Sequence, residues 1–224
     1  MITAAMPRRS AASPLPSLFA ALSVHLGGEA EPLAPLEEAA IARVVEQARA
    51  GDTGARETLY VQHVDRVFRA VRGMLRSDAD AEDVTQDAML TVLTSLHKYT
   101  PRADARFAAW VMTIAVNTAR RRFRRRRVQL TATGELPEIP AEGPDPADGL
   151  DRGRRRRALL IALAELPERE RVIVSLRYGA ELNASDIGAT LGIEPATIRK
   201  VLERARTRLG TRIEALLTPD GGMS

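Results

Sequence analysis

The 224 residues predict an all-α protein: two small helical domains joined by a flexible acidic linker, the second domain containing a helix-turn-helix. Three observations lead there. Apolar residues recur at spacings of three and four over two separate stretches, the period of a helix with one buried face. Between them, Val128 to Leu150 is rich in proline, glycine and acids and has no period, which reads as a linker. Near the end of the second stretch, Asn183, Gly192 and Pro195 punctuate the chain as helix start, reversal and helix start.

Composition fits this division. At 45% hydrophobic but only 4% aromatic residues, the chain suits two small helical cores better than one large one. It has no cysteine, which excludes disulfides, thiolate zinc sites and cysteine nucleophiles and points to a reducing compartment. His25, His63 and His97 are too scattered to suggest a metal site, and no cofactor is expected. The net charge of +4 conceals an uneven distribution: residues 51–127 carry 15 basic against 9 acidic groups, 128–150 carry 0 against 5, and 151–224 carry 14 against 10. All the basic residues except Lys98 and Lys200 are arginines, whose planar fork suits phosphate and base-edge hydrogen bonding; a GC-rich genome would produce the same bias.

Residues 1–35 hold five prolines and read as a mobile extension. Arg8 and Arg9 before the apolar run Leu15 to Leu26 have the outline of an export signal, but a proline, two serines and His25 interrupt it. No run approaches the roughly 20 apolar residues that span a bilayer, so the expectation is a cytoplasmic protein without membrane insertion. The first domain is expected over 36–127. A helix from Leu36 to Ala50 stops at Gly51 and Asp52. Val64, Val67, Phe68, Val71, Met74 and Leu75 form the next stripe, Ser77 and Asp78 cap a third helix carrying Val84, Ala88, Leu93 and Leu96, and after the loop YTPRADA a fourth stripe runs Phe107, Trp110, Val111, Ile114, Ala115 and Thr118. The linker is assigned to 128–153, the second domain to 154–217 and a tail to 218–224. In the second domain, Leu159, Leu160, Leu163 and Leu166 precede Pro167, and Val172, Ile173 and Leu176 follow it.

The helix-turn-helix has a consistent internal logic. Asn183 can cap a helix on which Asp186 sits three residues later, Ile187 and Leu191 face inward, Gly192 permits a left-handed reversal, and Pro195 opens the second helix. Ile198, Val201, Leu202, Ala205 and Leu209 form its buried stripe and leave Arg199, Lys200, Glu203, Arg204 and Arg206 outside. Such a helix can enter a DNA major groove.

Three motifs then stand in a telling order: DADAEDVTQDAML (78–90), RFAAWVMTIAVNTARRR (106–122) and ALAELPERERVIVSLRYGAEL (162–182) followed by the helix-turn-helix. In this order they resemble the extracytoplasmic-function (ECF) sigma factors of the sigma-70 family, the two-domain subunits that direct bacterial RNA polymerase to promoters. The resemblance runs from Leu36 to about Leu216. It implies that the first motif docks on the polymerase beta-prime clamp helices through Asp83, Gln86 and Asp87, which also share one helix face by spacing. It implies minus-ten recognition by the second motif and the loop before it, through Tyr99, Arg102, Asp104, Arg106, Asn117, Arg120, Arg121 and Arg124. Minus-thirty-five recognition would fall to Thr197, Arg199, Lys200, Glu203 and Arg204. The implied partners are core RNA polymerase (beta-prime clamp helices and beta subunit), promoter DNA and an anti-sigma factor. The sequence departs from the family in lacking its usual aromatic near Arg56.

Asp78, Asp80 and Glu82 alternate like a calcium loop, but Asp83 stands where glycine is needed and Met89 where a bidentate Glu is needed. A carboxylate-rich metal nuclease lacks a nearby histidine or lysine, so no enzymatic activity is expected. Trp110 keeps phase with Phe107, Val111 and Ile114 and is expected in the core rather than as a stacking platform. Glu203 could accept from cytosine or pair along its helix with Lys200 or Arg199. The alternative function is a stand-alone helix-turn-helix regulator that does not bind core polymerase; it has no need for the acidic helix of the first domain.

Overall fold

The computed structural model describes residues 36–75, 77–133 and 150–218. The extension 1–35 and the five acids of the linker lie outside them. Among the described residues the regular structure is helical, apart from an isolated bridge between Arg102 and Ala105.

Helix α1 (Glu38–Arg49) turns Ile41, Val45 and Ala48 inward and ends at Gly51, whose φ of 101° reverses the chain. Asp52 then caps α2 (Thr53–Leu75), its Oδ1 accepting from the Ala55 N–H at 3.0 Å. Val67, Val71 and Met74 of the expected stripe are buried on α2, while Val64, Phe68 and Leu75 pack against the core from its edge. Ser77 caps α3 (Asp78–Thr94) by accepting from the Asp80 N–H, and Asp78 and Asp80 in the first turn complement the positive helix end. A 3-10 turn (Leu96–Lys98) leads through the loop into α4 (Phe107–Thr133). These four helices form one bundle, α2 lying against α1, α3 and α4.

The second bundle comprises α5 (Leu150–Glu165), α6 (Glu168–Val174), a π-helical turn (Ser175–Gly179), α7 (Ala184–Leu191) and α8 (Pro195–Leu217). The corner works as the sequence predicts: Asn183 Oδ1 accepts from the Asp186 N–H at 2.9 Å, Gly192 adopts φ 68°, and Pro195 fills the first turn of α8. A Cβ at position 192 would be held in the left-handed region that non-glycine side chains disfavour. Helix α8 packs along α5, α6 and α7.

One expected boundary moves. The linker assigned to 128–153 is shorter at both ends, because α4 runs on to Thr133 and α5 begins at Leu150. The reason is local: Arg, Leu and Gln are good helix formers, and no proline or glycine interrupts 107–133. The two bundles lie in contact. The π turn and α6 lie against α2, and α7 lies against α4.

Candidate nucleic-acid and partner interfaces

Three exposed surfaces gather the residues singled out in the sequence. On α3, Ala81, Val84, Ala88, Met89 and Val92 are buried, so Asp83, Gln86 and Asp87 are left facing solvent. Leu90 shares their face one turn further on and is 64% exposed. Sequence reasoning missed it because a leucine between Ala88 and Leu93 reads as core. The spacing 83, 86, 87, 90 was the available signal, since it marks a single helix face. Asp83 also accepts from Arg122 at 2.9 Å while the same guanidinium holds Asp80 at 3.0 Å, which braces α3 against α4.

The second surface lies on α4. Asn117, Arg120, Arg121 and Arg124 project from one exposed face and line a shallow groove with Thr91 and Ile114. Successive positions three and four apart give this alignment without any help from tertiary contacts. An amide beside three guanidiniums can donate to phosphate and also donate to and accept from a base edge.

The loop before α4 behaves differently from its expectation at one residue. Tyr99 is buried, 7% exposed, with its ring 4.9 Å from the Phe107 centroid and 5.3 Å from that of Trp110. Burial pushes its hydroxyl pKa up, and its carbonyl accepts from Arg49. Packing inside an aromatic cluster wins over display on a loop, so Tyr99 anchors the loop rather than presenting it. Arg102 and Asp104, both exposed, make a bidentate pair at 3.0 and 2.7 Å, and this bond from Arg102 lowers the Asp104 pKa. Arg106 is engaged by the second bundle: its backbone N–H and its Nε donate to the Asp186 carboxylate at 3.0 and 2.7 Å. Trp110 is half-buried against the core, in keeping with its phase.

The third surface is on α8. Ile198, Val201, Leu202 and Ala205 are buried, and Thr197, Arg199, Lys200, Glu203 and Arg204 are all exposed around them. Neither Arg199 nor Lys200 is shown paired with Glu203 by any of the ion pairs described on this helix, which join Arg208 to Glu170 and Arg212 to Glu165. Among the described residues no helix is long and apolar enough to cross a membrane, and no group of three metal-ligating side chains comes together.

Comparison with known proteins matches the first bundle, over residues 59–128, to the family model described as Sigma-70 region 2, and the second, over 162–210, to Sigma-70 region 4. The RNA polymerase sigma factor CarQ of Myxococcus xanthus is 36% identical over 74% of this chain and 92% of its own length. The ECF RNA polymerase sigma factor SigE of Mycolicibacterium smegmatis is 34% identical over 68% of this chain, which spans 59% of that relative's length. Among solved structures, CnrH in complex with the cytosolic domain of CnrY is similar with a TM-score of 0.56, 22% identity and coverage of 77% of this chain and 96% of that one. The sigma factor RpoE in complex with the anti-sigma factor NepR from Bartonella quintana gives a TM-score of 0.58 at 21% identity, over 70% of this chain and 96% of that one. At such identities these two likenesses speak for the fold.

Proposed function

Because this chain belongs to the ECF group of the sigma-70 family, whose members are non-enzymatic transcription initiation factors, we propose that it binds core RNA polymerase and directs it to promoters by their minus-ten and minus-thirty-five elements. The observation that carries this reading is the pairing of two unlike exposed faces on rigid helices: an acidic and apolar one on α3 and an amide-and-arginine one on α4. A stand-alone regulator would use α8 and have no employment for α3. In the proposed division of labour, Asp83, Gln86, Asp87 and Leu90 meet the beta-prime clamp helices, and the second bundle meets the beta subunit. Asn117 with Arg120, Arg121 and Arg124 holds the opening minus-ten element, where arginine contacts to phosphate supply affinity and the amide supplies choice. Thr197, Arg199, Lys200, Glu203 and Arg204 address the minus-thirty-five groove. An anti-sigma partner and a cytoplasmic location complete the proposal; the RpoE complex with NepR is a relative in fold that holds such a partner.

Replacing Asp83 and Asp87 together by lysine should weaken core-enzyme binding about tenfold to a hundredfold, since like charge would replace complementary charge at an interface. Both side chains are exposed, and the one ion pair lost, Asp83 to Arg122, is a surface pair worth about 0 to 1 kcal/mol while Asp80 keeps its hold on Arg122, so the fold should survive with at most a small drop in melting temperature. Pull-down on core polymerase and run-off transcription over a genomic promoter library measure both halves; wild-type core affinity in the double variant would return the chain to the regulator reading.

DNA contacts separate by their sequence dependence. Arg199→Ala or Arg204→Ala should cost about 1 to 3 kcal/mol at particular base pairs if the guanidinium is bidentate to guanine. Arg124→Ala should instead weaken binding evenly across sequences and flatten its salt dependence. Titrations of duplex variants at two salt concentrations tell these apart, and an even loss in the α8 variants would reduce α8 to a backbone clamp.

A further inference from the structure

We infer that α1 is a splint for the loop proposed to meet the minus-ten element. Its two terminal residues, Glu38 and Arg49, hold the two ends of the loop 99–107 and so fix the shape that the loop shows to a base. The inference rests on the function proposed above and adds two positioning residues to it. Both lie ahead of residues 59–128, the stretch that matches Sigma-70 region 2.

Arg49 holds the entry to the loop. Its Nε donates to the Leu96 carbonyl at 2.9 Å, its Nη2 donates to the Tyr99 carbonyl, and its Nη1 is braced by Glu46 at 2.8 Å. The Leu96 carbonyl also accepts from the Tyr99 N–H at 3.0 Å, so the guanidinium grips the 3-10 turn at the bond that closes it. Its carbon stands 6.0 Å from the centre of the Tyr99 ring. A planar fork can bridge two carbonyls in this way, whereas a lysine offers a single point of charge.

Glu38 holds the exit. Its Oε1 accepts at 2.7 Å from the N–H of Phe107, the first residue of α4 and one of the donors that a helix start leaves unpaired. Such a donor is commonly capped by a side-chain oxygen from the residue just before the helix. Arg106 stands there and has no side-chain acceptor, so the cap comes from 69 residues earlier.

The splint is itself anchored. Ile41, Val45 and Ala48 bury its inner face. Just before α1 the Leu36 N–H donates to Gln62 of α2 at 3.3 Å, and near its end Arg56 of α2 donates to the Ala48 carbonyl at 3.1 Å. At about 1.5 Å per residue, its two gripping residues are held about 16 Å apart along the helix. Between the held ends Pro101, Arg102, Ala103 and Asp104 are exposed, with Arg102 folded onto Asp104 and bridged to Ala105. A loop shaped before binding loses little freedom when a base enters, and it can reject a base that does not fit.

The test uses the full-length protein, free and with core polymerase. Arg49→Met keeps a long apolar side chain and removes the fork; Glu38→Ala removes the cap. In the free protein the Tyr99 amide of the first variant and the Phe107 amide of the second should exchange hydrogen about tenfold faster, measured against amides of α3. Holoenzyme carrying either variant should lose about fivefold to tenfold of its discrimination among bases in the minus-ten element, read on promoters that differ at one base pair. Discrimination in the minus-thirty-five element should be kept. Glu38→Gln, which retains an oxygen acceptor, should restore most of what Glu38→Ala loses, a rescue that a general loss of stability would not show. Wild-type exchange in both variants overturns the splint. So does faster exchange with undiminished minus-ten discrimination, or a loss spread equally over both promoter elements. A wild-type protein that does not bind core enzyme would instead fail the initiation-factor reading, and the exchange rates, read without polymerase, would still decide the splint.

Discussion

Phe107→Ala should lower the unfolding free energy by about 3 to 5 kcal/mol, the range for deleting a large buried aromatic. Phe107 is 1% exposed and lies at the centre of the cluster that closes the first bundle, with ring centroids at 4.9 Å to Tyr99, 5.3 Å to His63 and 5.5 Å to Trp110. Its backbone N–H donates to Glu38 on α1 at 2.7 Å, a bond that survives the substitution. The cost is therefore one of packing and cavity, and the chain, with only 4% aromatic residues, has few side chains able to fill the space. Urea unfolding of wild type and variant measures the difference. A cost below about 1 kcal/mol, little more than one buried methylene, would mean that the cluster collapses around the gap and is not what fixes the loop between Tyr99 and Phe107.

The second large effect is an acid one. His63 is buried on α2, neither ring nitrogen finds a hydrogen-bond partner, and its pKa is lowered to about 4, chiefly by burial and further by the nearby Arg66. The folded state therefore holds the imidazole neutral while the unfolded chain takes up a proton below about pH 6.5. Between that value and about 4 the unfolded state binds more protons, so stability rises with pH and falls as pH drops through this window. The loss should be about 2 kcal/mol between roughly pH 7 and pH 5, at about 1.4 kcal/mol for each unit inside the window. His63→Leu, which keeps the ring's site apolar, should flatten this dependence. Chemical denaturation of both proteins at the two pH values decides the matter; equal slopes would remove His63 as the source.

What the sequence disclosed and what it withheld divide along a physical line. Features that depend on neighbours within a turn or two were legible: Ser77 and Asn183 as caps, Gly51 and Gly192 as reversals, and the inward stripe of α8 that puts Thr197, Arg199, Lys200, Glu203 and Arg204 outside. The faces of Asp83, Gln86 and Asp87, and of Asn117 with Arg120, Arg121 and Arg124, follow from helical spacing in the same way. Features that depend on contacts far along the chain were not. Tyr99 looks like a loop residue until Phe107 and Trp110 close over it, and Asp186 looks like a capping acid until Arg106 is found beside it. Gly179, whose missing Cβ makes room for the Ala70 backbone, and Glu181, which pairs with Arg69, give no local sign of these contacts with α2.

Trp110 follows Ala109, whose carbonyl receives the Thr190 hydroxyl of α7, and it lies against Tyr99 and Phe107 at the base of the loop. It is also the chain's single tryptophan. An indole half-buried at the edge of a core emits according to how much water reaches it, and here the neighbouring residue is tied to the second bundle. The protein thus carries its own optical gauge: with no label attached, the colour and yield of its ultraviolet emission should report how tightly the cluster of Tyr99, Phe107 and Trp110 is closed.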